Sequence, residues 1–177
     1  KRQDYDSVYY AALLNRYGTN ANADESRWLI AQEFGDQANI QHWQNDWNTS
    51  IQQIQVLMQN AHANQTWVEE LQPLKDMDTS WNQYYGIDSQ IRSKATDQSD
   101  PNRVLDAEQI STGISNQAFG NFTDAVSRLS KANRDHYNLT LNDAQGALPN
   151  YILWSAILFP VIGLLAVAGV WQRLKDF

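Results

Sequence analysis

The sequence has no cysteine. Disulfides, thiolate metal sites and a cysteine nucleophile are excluded, and whatever folds here stands on packing alone. Basic residues are also scarce, with thirteen Lys and Arg against twenty Asp and Glu and a net charge of −7. Lacking a basic patch or stripe, and carrying an acidic surface that repels phosphates, the chain is not expected to bind nucleic acid. No segment sustains the apolar/polar alternation of a strand, so a sheet is not expected. Glycine-rich phosphate loops, a G-x-S-x-G elbow and a nucleophile beside a histidine are missing as well. His42, His62 and His136 fall in three separate segments without a second ligand at metal spacing. No metal, no cofactor and no enzymatic activity are therefore expected. The carboxylate neighbours Glu69 and Glu70, Asp76 and Asp78, and Asp106 and Glu108 read as solvated faces.

Against these absences stands one long apolar run. Tyr151 to Trp171 holds twenty-one residues without a charge, eleven of them Leu, Ile, Val or Phe. As a helix the run is roughly 31 Å long, close to the thickness of a bilayer's hydrocarbon core. Those eleven side chains favour insertion by roughly 3 to 7 kcal/mol. A transmembrane helix is expected over 149–171. Tyr151 and Trp154 at one end and Trp171 at the other match aromatic belts, and Arg173 and Lys175 follow at once. The nearest positive charge on the other side is Arg134, so the positive-inside rule assigns 172–177 to a short cytoplasmic tail. Pro160, Gly163 and Gly169 are candidates for close packing with neighbouring membrane helices. Residues 1–148 are too polar to share that environment. They are expected to form an extracytoplasmic domain, placing the chain in the cell membrane as a single-pass protein. Because the sequence opens on Lys1, an export signal or an earlier transmembrane helix is expected upstream.

Residues 1–150 carry eleven Lys and Arg and nineteen Asp and Glu, a balance of −8, and are long enough to bury a core. A first helix is predicted over 4–17, with Tyr5, Val8, Tyr9, Ala12 and Leu13 on one side and Gly18 as terminator. TNANADES then reads as a polar linker, followed by a short helical piece ended by Gly35. Asp36 can cap the next helix. Its apolar positions, Ile40, Trp43, Trp47, Ile51, Ile54, Met58 and Ala61, recur at three and four. His62, Asn64 and Thr66 supply a turn, and Pro73 suits either a kink or the first turn of a restarted helix. Trp81, Tyr84, Ile87 and Ile91 form another stripe, with Gly86 marking a close helix approach. ATDQSDPN is a linker in which Asp100 before Pro101 signals a helix start. A last helix is predicted from Pro101 to Gln145, with Gly146 and Pro149 as a hinge before the membrane. The fold class expected is all-α: an up-and-down four-helix bundle followed by one C-terminal transmembrane helix.

Four N-glycosylation sequons, at Asn48, Asn64, Asn121 and Asn138, are present, several of them within predicted helices. Aromatic residues are the conspicuous feature of the polar part. Trp43, Trp47, Trp67, Trp81, Tyr84 and Tyr85 belong to two adjacent segments. They suit core packing, or an aromatic-lined groove for a ligand or partner with Arg92 available to pair a carboxylate.

The stretch W-x-x-Y-Y at 81–85, Arg92, the linker, F-x-x-F at Phe119 and Phe122, L-x-x-A at Leu129 and the closing juxtamembrane helix resembles bacterial extracytoplasmic four-helix-bundle sensor domains. The tail from Gly169 to Phe177, GVWQRLKDF, is similar to the end of actinobacterial transmembrane adaptors that link amino-acid sensing by a solute-binding lipoprotein to a cytoplasmic kinase. The resemblance implies a non-enzymatic sensor or adaptor working beside an extracytoplasmic binding protein. With six residues after the span, a signal is expected to pass sideways. The alternative is an accessory structural subunit of a larger membrane complex, such as a respiratory assembly. Both readings make the bilayer and other membrane or extracytoplasmic proteins its partners.

Overall fold

The computed structural model describes residues 2–175, which are helical almost throughout, and no strand occurs among them. The chain divides into two compact units, Lys1–Asp135 and His136–Phe177.

In the first unit, α1 covers Arg2–Phe34 without a break. Gly18 does not end a helix, and TNANADES is not a linker. The polar residues of that stretch stay helical because Ala21 and Glu25 are buried, while Thr19 and Ser26 satisfy their hydroxyls on the carbonyls of Asn15 and Asn22 (2.8 and 3.2 Å). Packing overrides weak local propensity. Gly18 serves close approach instead: a Cβ there would lie 2.9 Å from Cε1 of Phe122. The helix ends at Gly35, whose φ of +64° is the left-handed conformation expected of a terminating glycine.

Helix α2, Gln37–Ala63, starts as its sequence predicts, the Asn39 amide donating to Asp36 at 3.1 Å. Trp47, Ile51, Ile54 and Ala61 are buried along the predicted stripe. After the turn, a 3-10 segment, Val68–Glu70, leads into α3, Leu71–Thr96. The buried Glu70 carboxylate accepts from the amides of Thr66 and Trp67 (2.7 and 2.8 Å), satisfying donors that a helix start otherwise leaves open. Pro73 falls in the first turn of α3, as predicted. Gly86 does not mark a close approach, since a Cβ there would meet nothing within 4 Å.

The predicted last helix is divided. Helix α4, Arg103–Ile110, passes through a π-helical turn, Ser111–Ser115, into α5, Asn116–Lys175. Helix α4 begins two residues later than expected because Asp100 accepts from the Asn102 amide (2.8 Å) and from Lys94 (2.5 Å), forming a turn instead of capping at Pro101. Helices α1 to α5 contribute to one hydrophobic core, in which Leu14, Ile54, Met77, Tyr84, Ile91, Phe122 and Val126 are fully buried.

The second unit is the remainder of α5. Its helix continues through Gly146 and Pro149, so the predicted hinge is absent. A proline removes only one backbone donor, and the turns on both sides carry the helix across. This helix is long and apolar enough to cross a membrane by length and composition.

Candidate functional site

The face of α1 that enters the core runs Ala11, Leu14, Gly18, Ala21, Glu25, Trp28, at intervals of three and four. A carboxylate therefore sits in the middle of an apolar stripe. Glu25 is 0% exposed. Ser111 donates to its Oε1 at 2.6 Å, and Ser115 reaches both oxygens at 3.4 and 3.3 Å. Both serines belong to the π-turn, a geometry whose extra residue redirects side chains and which recurs at functional sites. The hydroxyl of Tyr84, also buried, faces Glu25 and Asn22 without reaching good hydrogen-bond geometry with either.

A second buried carboxylate lies close by on α3. Asp88 is 1% exposed, and its Oδ2 accepts from Nε of Arg92 at 2.7 Å. The Arg92 guanidinium is further held by the Gln44 side chain and lies over two indoles, 4.6 Å from the Trp28 ring and 4.3 Å from that of Trp47. Such contacts strengthen as water is excluded. Asp88 Oδ1, Tyr84 Oη and Trp47 Nε1 are buried without a hydrogen-bond partner.

Burial pushes the Glu25 carboxyl above its ordinary range, with Asp88 adding to the rise and the Ser111 hydroxyl opposing it. Burial raises Asp88 as well, against the pull of Arg92. Tyr84 is raised by burial and by the fields of both carboxylates. The guanidinium thus pairs with Asp88, while Glu25 is held by neutral hydroxyls.

Of the residues the sequence singled out, Trp47, Tyr85 and Arg92 come together: Tyr85 stacks on Trp47 at 5.8 Å and is itself partly exposed. Trp81 and Tyr84 pack in the core at 5.5 Å from each other, Trp81 also lying 5.0 Å from Phe122. Trp43 is placed elsewhere, under the Arg27 guanidinium at 4.8 Å, beside a cavity of about 320 Å³ lined also by Ile30, Phe34 and Asn39. Glu25, Asp88, Ser111 and Ser115 were missed. The signal that could have found them is a polar residue at a core position of a three-four stripe, hidden for Glu25 because 19–26 reads as a linker.

In the apolar run, every described side chain from Tyr151 to Val167 except Ser155 is exposed, Trp154, Pro160 and Gly163 included. The side chains of Trp171, Arg173 and Lys175, and the surroundings of Gly169, lie outside the described residues. Among the described residues, no group of three or more His, Asp or Glu could hold a metal ion. Comparison of the sequence with known protein families and with curated proteins finds no match.

Proposed function

We propose that this chain is a non-enzymatic, single-pass membrane protein, a sensor or adaptor whose up-and-down four-helix bundle stands outside the cytoplasm and which works by lateral contact with other membrane or extracytoplasmic proteins. The observation that carries the reading is that the described apolar side chains of 151–167 are exposed. A bilayer supplies the missing apolar environment. The Arg173 and Lys175 charges favour a cytoplasmic C-terminus. The buried acids of the bundle favour a signalling role, because charged groups in a core cost stability that a purely structural bundle has no need to spend.

The alternative of an accessory subunit draws on a different observation. Phe34 is 77% exposed beside the half-exposed Ile30 at the α1–α2 turn, an apolar surface suited to covering another subunit. A photo-crosslinker at Gly163 of the full chain, in its native membrane, tests lateral contact. A discrete protein adduct supports it, and adducts with lipid alone overturn it. Gentle detergent extraction separates the two readings: stoichiometric co-purification with a complex favours the accessory subunit, and a chain that extracts alone excludes it.

A further inference from the structure

We propose that Glu25 is a proton-operated latch on the π-turn: ionised, it holds Ser111 and Ser115 inward as its donors, and on taking up a proton it releases them, so that residues 111–115 return to regular α-helix. The inference rests on the helical core alone and holds whether the chain is an adaptor, an accessory subunit or neither.

Three observations converge on it. The first is the donor set. Glu25 is fully buried, and the Ser111 and Ser115 hydroxyls of the turn donate to it. The nearby guanidinium is committed to Asp88, Gln44 and two indoles. A hydroxyl bonded to an ionised carboxylate is roughly twice as strong a bond as one to a neutral carboxyl. Charge on Glu25 is therefore what makes the inward serines favourable.

The second is a conflict between pattern and structure. Ile110, Ile114, Ala118 and Phe122 recur at intervals of four, as a core stripe should, yet Ile114 is 50% exposed while Ser111 and Ser115 are buried. The observed turn forgoes the burial of an isoleucine to keep two serines on a carboxylate. Once the charge is gone, hydrophobic burial favours the other arrangement. The third is room to move. A cavity of about 110 Å³ lies beside the turn, lined by Leu29, Ile30, Val104 and Ser111 and by two carboxylates, Glu33 of α1 and Glu108 of α4.

The charges around the latch fix its sign. On α1, Asp24 is paired with Arg27. From α2, His42 and Asp46 act on Asp24, and Gln44 and Trp47 bring no charge. From α3 come Tyr84, Asp88 and Arg92, and from the start of α5 the Asn116 amide, which accepts from Asn22 at 3.4 Å. Asp88 is thus the charged neighbour acting directly on Glu25, and it favours the neutral acid. A proton from solvent binds a Glu25 oxygen, and beyond that O–H bond only hydrogen bonds are exchanged. Ser115, whose contacts are longest, leaves first. The latch is set as pH rises through the elevated Glu25 value and opens as pH falls.

Because the chain has no native cysteine, a single Ile114→Cys thiol reports the turn in the full chain held in nanodiscs. At about pH 8.5 it should label about tenfold faster per thiolate than in the same chain carrying Glu25→Gln, which mimics the protonated state, and at about pH 5 the two should match. Equal labelling at both pH values overturns the latch. Should either substitution prevent folding, hydrogen exchange of the unsubstituted chain decides: protection of the 111–116 amides, corrected for intrinsic rates, should change with pH, and a pH-independent pattern overturns the latch.

Discussion

The two stretches of α5 form one comparison. Between Asn116 and Asp135 the helix buries Ala118, Phe122, Ala125, Val126 and Leu129, and even Asn133 is buried, returning its side-chain amide to the Leu129 carbonyl at 3.0 Å. From Tyr151 to Val167 the residues are far more apolar, yet none of the described side chains is buried. Hydrophobicity along a helix therefore does not say what covers it. In the first stretch the other helices do so, on one stripe; in the second no stripe is favoured, because the solvent expected there is itself apolar.

That contrast can be broken from either side. The largest expected effect is Phe122→Ala, which removes a fully buried ring touching Trp81 and Gly18 and should cost about 3–5 kcal/mol in denaturant unfolding of the first unit, with membrane retention unchanged. Leu158→Arg should do the reverse, disfavouring insertion by about 3 kcal/mol at mid-span while leaving the bundle's unfolding midpoint in place, as fractionation and circular dichroism would show. If both variants shift both readouts together, the two stretches are not separate environments.

Smaller changes sharpen the picture. Gly18→Ala forces a methyl toward the Phe122 ring and should destabilise the bundle by about 1–3 kcal/mol, measured by urea titration. Stability should also depend on pH with a definite sign. Glu25 and Asp88 are raised in the folded state, so their contribution is complete below the ordinary carboxylate range and declines as pH rises through their elevated values. The melting temperature should then be higher at about pH 5 than at about pH 8, and Glu25→Gln should shrink the difference. Asp36, Asp76, Asp97 and Asp100 are lowered by hydrogen bonds and act oppositely, their contribution lost as pH falls below the ordinary range. The smallest effect is Asp36→Ala, which removes the α2 cap and should lower the urea midpoint only slightly.

Much of the helical layout was legible because it rests on local chemistry. The α2 stripe, the Asp36 cap, the Gly35 terminator and the apolar run each carry their signal within a few residues. What was illegible depends on distant partners. Gly18 looks like a terminator until Phe122, far along the chain, explains it. The segment 19–26 looks like a linker until Ser111 and Ser115 give Glu25 a reason to be inside. The π-turn has no local signature either, since its five residues read as ordinary helix and only their long-range donors select the extra residue. The aromatic residues were recognised as a group, but which of them share a place was not, because Arg92 chooses Trp28 and Trp47 across three helices.

The most direct test of a bundle anchored by 151–171 is protease protection of the full chain in sealed membranes, with the fragments identified by mass spectrometry. Digestion from the extracytoplasmic side should remove the bundle and leave a protected fragment that contains Tyr151 to Trp171 and stays with the membrane through alkaline washing. A chain released into the wash, or a fragment cleaved within 151–171, would contradict the anchor.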